Sequence, residues 1–530
     1  MNTKALKQKI LDLAIHGKLL PLEKVEKIRK EEPASVLLEK IRAEKQEKIA
    51  KGELKKDKND SFIFVGDDKR HYEKFADGSV KDIEDEIPFD VPEGWSWCRL
   101  GEICELNPKN KLDDFLEVSF IPMNLIGAEY SNKHGQEKRK WKDIKKGFTH
   151  FSENDVAVAK ISPCFENRKS VILKNLINGF GAGTTELFIL RPDKNLLPEY
   201  LLWITKTNSF INTGVGNFSG VVGQQRLQRD VVEDYFLPLP PLSEQQLIVA
   251  KIEKIFAQID LLEQNKTDLQ TAIKQAKSKI LDLAIHGKLV SQDPNDEPAS
   301  VLLEKIRAEK EAKIAKGELK RDKNDSYIYK STTDNCHYEK LNGKDVCIED
   351  ELPFAIPDNW RWCRLGAIGN WQSGTTPNRK NNNFYDNGTI PWLLTGDLND
   401  GYITNIPNKI TELAYDSTSL KLNPINSICI AMYGATIGKL GILTFPSTTN
   451  QACCVCSNYY GVEKLFLFYF LMNHKEYFIQ QGFGGAQPNI SKEKIIETLI
   501  PVPPLTEQQR IVSKIEELFS LLDQVQTNLI

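Results

Sequence analysis

The chain contains two copies of one long helical sequence, and the chain termini cut one of the copies. Residues 238–289 read as a single helix in the middle of the chain. Its first part, PLPPLSEQQ onward, returns at residues 501–523, and its last part, KSKILDLAIHGKL, returns as KQKILDLAIHGKL at residues 7–19. The repeat is therefore circularly permuted, and a pseudo-twofold arrangement of two long antiparallel helices would close the ring and bring both termini together.

The central helix carries the apolar pattern of a coiled coil, which needs a partner helix. Residues 511–529 continue the same pattern in the cut copy. At about 1.5 Å per residue the central helix would span roughly 60 Å. The apolar positions, interrupted only at Lys266, are Ile248, Ile252, Ile255, Ile259, Leu262, Leu269, Ile273, Ala276, Ile280 and Leu283.

Capping residues mark the ends of these helices. Ser243 with Gln246 has the spacing of a capping box, and Thr506 with Gln509 repeats it. Gly287 is predicted to end the central helix, because helices often terminate at a glycine in the left-handed conformation.

Each copy continues with the same second helix, EPASVLLEKIRAEK, and the same entry motif, WSWCRLGEI in the first copy and WRWCRLGAI in the second. Beyond these motifs the two copies no longer match. Residues 106–236 and 369–499 occupy the same slot in the repeat, yet they differ through most of their sequence. The chain therefore holds two variable inserts on one repeated frame.

Both inserts mix strand-like and helix-like segments. VAVAKI and ELFILRP in the first insert, and SICIAMYG and LGILTF in the second, alternate with turn residues, and each insert has one helix-like stretch. We predict an α+β fold: two mixed α/β domains separated by a pair of long antiparallel coiled-coil helices, in a circular pseudo-twofold repeat. The predicted boundaries are 1–86 (N-terminal helical region), 87–237 (first variable domain), 238–351 (central helical region and linker), 352–500 (second variable domain) and 501–530 (C-terminal helix).

Composition is that of a reduced protein of the cytoplasm. The ten cysteines are scattered without a disulfide framework, no apolar run is long enough to cross a membrane, and the first residues read as an amphipathic helix rather than a secretory leader. We therefore expect a cytoplasmic location. The formal net charge of −3 gives no global sign of a polyanionic partner, so any anion binding must be local.

No catalytic or metal-binding motif is complete. GATIGK at residues 434–439 is one residue short of a P-loop, and it is interpreted as a turn between two strands. CCVC at residues 453–456 lacks the spacing of a zinc site and fits a buried strand. His16 and His286 lie at repeated helix ends, where a structural role is favoured over a catalytic one. An enzyme acting alone is disfavoured.

Polar and basic segments of the first insert suit contacts with phosphates or base edges. KRKWKDIKKGF at residues 138–148 interleaves six basic groups with aromatic residues, which fits phosphate neutralisation and equally fits a solvated hairpin. Other candidates lie in turns beside strands, from which side chains can reach a nucleic acid. The candidate residues are Lys138, Arg139, Lys140, Trp141, Lys142, Lys160, Asn167, Arg168, Lys169, Thr184, Thr185, Gln224 and Arg226.

The second insert is less basic and richer in amides and hydroxyls. Its loops SGTTPNRK, TGDL, GATIGK, TTNQA and GGAQPNIS can form hydrogen bonds with base edges, and the same residue types also stabilise turns. The candidate residues are Ser373, Thr375, Thr376, Arg379, Lys380, Thr395, Asp397, Tyr433, Thr436, Lys439, Gln451, Gln487 and Asn489.

Several short motifs, their order along the chain and their duplication together resemble one protein family over essentially the whole chain. The doubled PLPPLSEQQ and PVPPLTEQQ helices, the paired WCRLG motifs and the phrases SGTTP, IPW, GATIGK and QPNIS resemble the specificity subunits of Type I restriction-modification enzymes. The resemblance implies two target-recognition domains. Each would read one half of a split, asymmetric double-stranded DNA site in the major groove, and the helices would set the spacer.

The resemblance also implies partners and cofactors. In the family, the specificity subunit has no catalytic activity, and two modification subunits bind its repeated regions and methylate adenine with S-adenosylmethionine. Restriction subunits add translocation and cleavage driven by ATP and Mg²⁺, so no cofactor is expected to bind this chain directly. The residues expected to dock modification subunits are His16, Lys18, Gln245, Gln246, His286, Lys288, Gln508 and Gln509.

A second hypothesis stays open at this point: a non-enzymatic coiled-coil scaffold whose two inserts bind proteins rather than DNA. The near-neutral inserts favour it, since an autonomous DNA-binding domain usually carries a positive excess. A subunit that binds DNA only within a larger complex escapes that objection.

Overall fold

The computed structural model describes residues 2–52, 60–221, 224–318, 321, 326–482 and 488–528 of the 530-residue chain. The chain divides into two units, Met1–Asn265 and Lys266–Ile530, and the division falls inside the central helix. Each unit joins one copy of the repeated frame to one of the unlike inserts. The finer division into five segments stays a prediction.

The first unit contains the helices α1 (Thr3–Ile15), α2 (Leu22–Glu31), α3 (Ala34–Ala50), α4 (Leu100–Ile103), α5 (Trp141–Ile144), α6 (Pro198–Thr205), α7 (Asn208–Gly216) and α8 (Arg229–Glu233), and the start of the central helix α9 (Leu242–Ile285). Its strands are β1 (Ser61–Val65), β2 (His71–Phe75), β3 (Val80–Asp82), β4 (Ser96–Arg99), β5 (Cys104–Leu106), β6 (Glu117–Ile121), β7 (Glu137–Lys140), β8 (Thr149–Ser152), β9 (Val156–Ala159), β10 (Ser170–Ile172), β11 (Phe180–Gly183), β12 (Leu187–Pro192) and β13 (Phe236–Leu239).

The second unit contains the rest of α9 and the helices α10 (Ala299–Ala315), α11 (Leu365–Ile368), α12 (Glu412–Asp416), α13 (Lys464–Asn473), α14 (Lys475–Gln481), α15 (Lys492–Ile496) and α16 (Leu505–Thr527). Its strands are β14 (Ser326–Lys330), β15 (His337–Leu341), β16 (Lys344–Cys347), β17 (Arg361–Arg364), β18 (Asn370–Ser373), β19 (Ile390–Leu393), β20 (Gly401–Ile403), β21 (Lys409–Ile410), β22 (Ile428–Ala431), β23 (Leu440–Leu443), β24 (Thr448–Thr449), β25 (Cys453–Ser457) and β26 (Leu499–Val502).

Short helices pack antiparallel on α9 within each unit. In the first unit, the Thr3 hydroxyl at the start of α1 donates to Glu263, and Lys7 one turn later pairs with Asp260. In the second unit, the equivalent pair joins Lys277 of α9 to Asp523 of α16 at 2.5 Å. The predicted pairing of helices is therefore confirmed inside each unit. The shared cores contain Leu11, Ile15, Ile248, Ile252 and Phe256 in the first unit, and Leu281, Ile285, Ile511 and Ile515 in the second.

The coiled-coil seam is buried only toward the two ends of α9. Ile252 and Ile273 are buried, whereas Leu262 and Leu269 are 54% and 37% exposed. The seam prediction is wrong for these two leucines, which lie on either side of the predicted interruption at Lys266. The reason is length, since α1 has 13 residues and α16 has 23, against 44 in α9.

The helix starts differ from the predicted capping boxes. The first residue of α16 is Leu505, so that Thr506 lies inside the helix and Pro504 takes the capping position without a side-chain hydrogen bond. The Thr506 hydroxyl instead donates to Asp296 at 2.5 Å. Ser243 likewise lies inside α9. The proline ring fixes φ near the helical value at the helix start, and the threonine hydroxyl makes a tertiary contact instead of a cap.

Each insert folds as two small sheets with short helices, which confirms the mixed α/β prediction. The strand orders are β10-β9-β12-β5 and β7-β6-β11-β8 in the first insert, and β18-β25-β22-β23-β20 and β21-β19-β24 in the second. The four strand-like runs form β9, β12, β22 and β23. Each helix-like stretch splits into two helices, α6 with α7 and α13 with α14. In the first insert the split comes where the Thr207 side chain caps α7.

A buried carboxylate near the start of each long helix is held differently in the two units. Glu244 accepts from Arg29 at 2.6 and 2.9 Å and from the Trp95 indole at 2.9 Å. Its counterpart Glu507 accepts from the Gln292 amide at 2.7 Å, and its second oxygen has no hydrogen-bond partner among the described residues. The segment that carries Arg29 has no counterpart in the second copy of the repeat, so an amide replaces the guanidinium.

The Glu507 carboxyl should make the stability of the second unit depend on pH. Burial raises its pKa above the ordinary value of 4.5, outweighing the opposing hydrogen bond from Gln292. The folded state then binds this proton more tightly than the unfolded state, so the contribution to stability is present below pH 4.5 and is lost as pH rises through the folded pKa. In urea titrations at several pH values, Glu507→Gln should gain stability relative to the wild type as pH rises across this window. A difference in the free energy of unfolding between the two proteins that does not change with pH would contradict this role of Glu507.

Candidate nucleic-acid interface

Three loops of the first insert converge around Lys160, which follows β9. The Lys160 amide donates to the carbonyl of Glu186 at 2.9 Å, in the loop between β11 and β12 that also holds Thr184. The Lys160 carbonyl accepts from the Leu227 amide at 2.8 Å, which brings in Arg226. Three residues that lie far apart in the sequence, Lys160, Thr184 and Arg226, are therefore brought together.

The charges of this cluster are organised by Glu186, an acid that sequence reasoning missed. Arg226 donates to both carboxylate oxygens of Glu186, at 2.9 and 3.0 Å, and this pairing lowers the pKa of Glu186. Arg226 also donates to the Gln224 carbonyl at 3.2 Å, so its guanidinium is held in place. Lys160 lies 5.2 Å from the ring of Phe188 and forms no salt bridge among the described residues, so it is the cation suited to a phosphate.

The basic segment at residues 138–148 begins as β7, an exposed strand at the edge of its sheet. Lys138 pairs with Glu117 at 2.6 Å, and Arg139 pairs with Glu137 at 2.6 Å, so two of its charges are already neutralised. Lys140 has no such partner in the described part of the chain and stays exposed. Lys138 and Arg139 therefore fit a solvated strand, whereas the neighbouring Lys140 fits a phosphate contact.

Trp141 is not available for DNA, and its place among the candidates is corrected. It is 2% exposed and packs with Val118 and Ala182 under the sheet. It opens α5, whose apolar side faces the core, so it supports the basic strand from below. Lys142 remains exposed, 5.3 Å from the Phe115 ring.

The basic strand and the Lys160 cluster lie at opposite ends of one sheet. Lys140 is in register with Glu117 at the start of β6. Gly183, which precedes Thr184, is in register with Ile121 at the end of β6. The structure therefore offers two separate groups of candidates in the first insert rather than one continuous patch.

Two other candidates of the first insert form hydrogen bonds with backbone carbonyls inside the domain. Arg168 donates to the carbonyl of Lys206 at 3.1 Å, and Lys169 donates to the carbonyl of Met123 at 3.0 Å. Both are half-buried. The exposed remainder is Asn167, Thr185 and Gln224.

In the second insert, loops that carry hydroxyl and amide side chains lie side by side and form one row. The Thr375 amide donates to the Thr449 carbonyl at the end of β24 at 3.0 Å. In the turn that follows β24, the Gln451 amide donates to the Thr376 hydroxyl at 3.5 Å. The Asn450 amide donates to the end of β19, which leads into the loop holding Thr395. Threonine and glutamine groups from three loops thus share one surface.

The row continues into the turn between β22 and β23, as predicted for GATIGK. Tyr433 forms an isolated bridge with Asn489, and Thr436 donates to the Tyr433 carbonyl at 2.9 Å. The Met432 amide donates to the Ala452 carbonyl at 2.8 Å, which connects this turn to the previous loops. Tyr433 is 42% exposed and has the position of a side chain that can pack on a base or sugar.

The remaining candidates of the second insert differ in availability. Asp397 accepts from the Leu394 amide at 2.8 Å and closes a turn. Gln487 lies outside the described residues. The exposed or half-exposed polar groups are Ser373, Arg379, Lys380, Thr395 and Lys439, and the three cations among them have no acidic partner in the described ranges.

Two predicted docking residues are buried inside the fold, which corrects that prediction. Gln245 accepts from the Leu197 amide at 3.1 Å and donates to Pro240 at 3.1 Å. Gln508 repeats this arrangement, accepting from Glu463 at 2.8 Å. Both glutamines are fully buried, so they tie each long helix to its insert.

The rings of the repeated histidines pack against aromatic side chains within each unit, and their docking role stays a prediction. His16 stacks on Phe89 and His286 on Phe354, each with ring centroids 3.9 Å apart. Each also forms a hydrogen bond through its ring to the carbonyl four residues earlier in its helix, at 2.7 Å. The exposed docking candidates are Lys18, Gln246, Lys288 and Gln509.

The CCVC segment forms the fully buried strand β25, as predicted. In the described ranges, no group of three or more His, Cys, Asp or Glu side chains is placed to hold a metal ion. No helix in those ranges is long and apolar enough to cross a membrane.

Comparison with known proteins shows the family of this chain. The family model of the Type I restriction modification DNA specificity domain matches residues 92–271 and again 357–530. The EcoAI specificity subunit of Escherichia coli is 33% identical over 97% of this chain and 88% of its own length. The EcoEI specificity subunit of Escherichia coli is 32% identical over 99% of this chain and 90% of its own.

Solved structures share the fold. A chain from a study of assembly and conformational transition in the type I R-M system matches with a TM-score of 0.56 at 18% identity, covering 83% of this chain and 94% of that one. The HsdS subunit from Thermoanaerobacter tengcongensis matches with a TM-score of 0.51 at 16% identity, covering 83% and 95%. With both inserts inside family matches and near full-length relatives above 30% identity, this chain belongs to the Type I restriction-modification DNA specificity family.

Proposed function

We propose that this chain is the DNA-recognition subunit of a Type I restriction-modification complex and has no catalytic activity of its own. One observation carries the proposal: two nearly identical frames present two unlike sets of polar loops, in a chain of the specificity family. A repeated frame with different loops fits a target made of two different half-sites. The target should therefore be bipartite and asymmetric rather than palindromic.

The two inserts would read DNA by different chemistry. The first offers cations, Lys160, Lys140 and Lys142, that suit phosphates. The second offers a row of hydroxyl and amide groups with Tyr433, which suits hydrogen bonds at base edges. Phosphate contacts position a protein on the duplex, whereas base-edge contacts specify sequence.

The partners are inferred from the repeated frame. Two modification subunits would dock on the two equivalent surfaces around Lys18 with Gln246 and around Lys288 with Gln509, and they would methylate adenine with S-adenosylmethionine. Restriction subunits would supply cleavage and translocation with ATP and Mg²⁺. This chain would hold none of these cofactors itself.

Methylation mapping of whole genomes tests the proposal. Cells that carry this gene with its partner subunits should show adenine methylation at a motif of two different half-sites with a fixed nonspecific gap. Deletion of this gene alone should abolish that motif. A genome in which no bipartite adenine motif is lost would contradict the function.

Lys160→Ala should weaken DNA binding by the assembled complex about equally for all sequences and should reduce the slope of log affinity against log salt by about one. The reason is that an ammonium without a salt-bridge partner releases counterions when it meets a phosphate. The control is Lys138→Ala, because Lys138 is already neutralised by Glu117 at 2.6 Å. Fluorescence anisotropy at several salt concentrations checks both variants. Equal slopes for the two would show that Lys160 does not face the phosphates.

A further inference from the structure

The entry motifs of the two copies differ at two positions, Ser96 against Arg361 and Glu102 against Ala367. WCRLGEI in the first copy places Glu102 on α4, and WCRLGAI in the second places Ala367 on α11. A charged helix (α3 or α10) contacts a three-stranded sheet in both units, and Arg361 adds a basic side chain in the second unit where the first has Ser96. The first copy therefore shows which group the second copy lacks.

In the first unit, the carboxylate of Glu102 satisfies an arginine from α3. Arg42 donates through Nε to Glu102 at 2.6 Å and to the Ile63 carbonyl at 3.2 Å, and it lies 4.4 Å from the Phe62 ring centroid. The Glu102 side chain is 4% exposed. An apolar ring, a guanidinium and a buried carboxylate thus form one unit.

In the second unit the ring and the guanidinium are present without the carboxylate. Arg307 lies 4.2 Å from the ring centroid of Tyr327, the same arrangement as Arg42 on Phe62. No acidic partner of Arg307 occurs among the described residues. A cavity of about 560 Å³ lies at this place, and both Arg307 and Ala367 line it.

The cavity has the size and composition of a site for a small organic anion. Its volume lies in the range that ligand pockets usually have, about 300–1,000 Å³. Among the described residues, six basic and two acidic side chains line it, and one of the acids, Glu311, is paired with Arg321. The apolar and aromatic part of the wall is formed by Leu303, Ile306, Tyr327, Tyr329, Cys363 and Ala367.

We propose that this cavity binds a small molecule that carries a carboxylate on a flat apolar body. The carboxylate would take the place that Glu102 occupies in the first copy and accept two hydrogen bonds from Arg307, since a guanidinium and a carboxylate match in bidentate geometry. The flat body would lie against Tyr327 and the aliphatic wall. The site is outside the recognition inserts, and this proposal does not depend on how the inserts read DNA.

The repeat supplies the test. Isothermal titration of the full-length protein with 2-naphthoate, and with the uncharged 2-naphthamide as a matched probe, should show one site that prefers the carboxylate by at least about tenfold. Ala367→Glu, which restores the first copy's residue, should abolish naphthoate binding. Glu102→Ala should add a second site in the first unit. Arg307→Gln should bind both probes equally, which separates loss of charge recognition from misfolding.

Three outcomes would overturn the proposal. One is equal affinity for the acid and the amide in the wild type. Another is naphthoate binding that Ala367→Glu leaves unchanged. The third is a combined result: the wild type does not bind naphthoate, and Ala367→Glu weakens assembly with modification subunits. The cavity would then hold an acidic side chain of a partner instead of a small molecule.

Discussion

Replacing Glu244 by Ala should lower the free energy of unfolding of the first unit by about 3–5 kcal/mol, the usual cost of leaving one member of a buried ion pair unpaired. The side chain of Glu244 is 1% exposed and that of Arg29 is 9% exposed. Removal of the carboxylate would leave the Arg29 guanidinium and the Trp95 indole buried without their acceptor. These groups join α2, the entry motif and the start of α9.

The second unit provides the matched control for this prediction. Glu507→Ala removes the equivalent carboxylate, but its hydrogen-bond partner is the neutral amide of Gln292, so the loss should be only about 1–3 kcal/mol. Hydrogen exchange followed by mass spectrometry can report on each unit separately, since peptides from α1 and from α16 belong to different units. Equal losses of protection from hydrogen exchange in Glu244→Ala and Glu507→Ala would show that the Arg29 guanidinium does not increase the cost of removing the carboxylate.

Replacing Gly374 by Ala should disrupt the second insert's row of loops and abolish recognition of one half-site. A Cβ atom at Gly374 would lie 2.2 Å from the Asn450 carbonyl oxygen and 2.3 Å from that of Thr449. Both are backbone atoms, which cannot rotate away, so the SGTTP loop and the loop 448–451 must separate, at a cost of about 1–3 kcal/mol. Methylation mapping of the variant should show loss of the bipartite motif.

Gly396→Ala is the control for Gly374→Ala, because it lies in the same row of loops and a Cβ atom there meets nothing within 4 Å. It should leave methylation unchanged. Competition binding with DNA that carries only one intact half-site should show that Gly374→Ala loses preference for one half-site and keeps preference for the other. Loss of both preferences would indicate general misfolding instead.

The helices and most of the insert strands could be predicted because their signals are periodic along the chain. VAVAKI and LGILTF became β9 and β23, and α9 ends at Ile285, with Gly287 at a φ of +65° as predicted. The capping boxes failed at Ser243 and Thr506, since a local motif cannot show that a distant acid takes the hydroxyl. The predicted seam failed at Leu262 and Leu269, on either side of its interruption at Lys266, because the pattern does not report how far a partner helix extends.

The sequence by itself determined the repeat, its cut at the termini, the two unlike inserts and the family, because duplication and periodicity can be read in one dimension. Only the tertiary structure decided which candidate residues are buried or paired within the fold and so cannot bind a partner. Trp141, Gln245 and Gln508 match the chemistry of binding residues and yet are buried, and Arg226 is held by Glu186. Arg307, Tyr327 and Ala367 line one cavity only because α10, β14 and α11 pack beside one another. Burial and pairing depend on contacts between residues distant in sequence, and these contacts do not exist until the chain has folded.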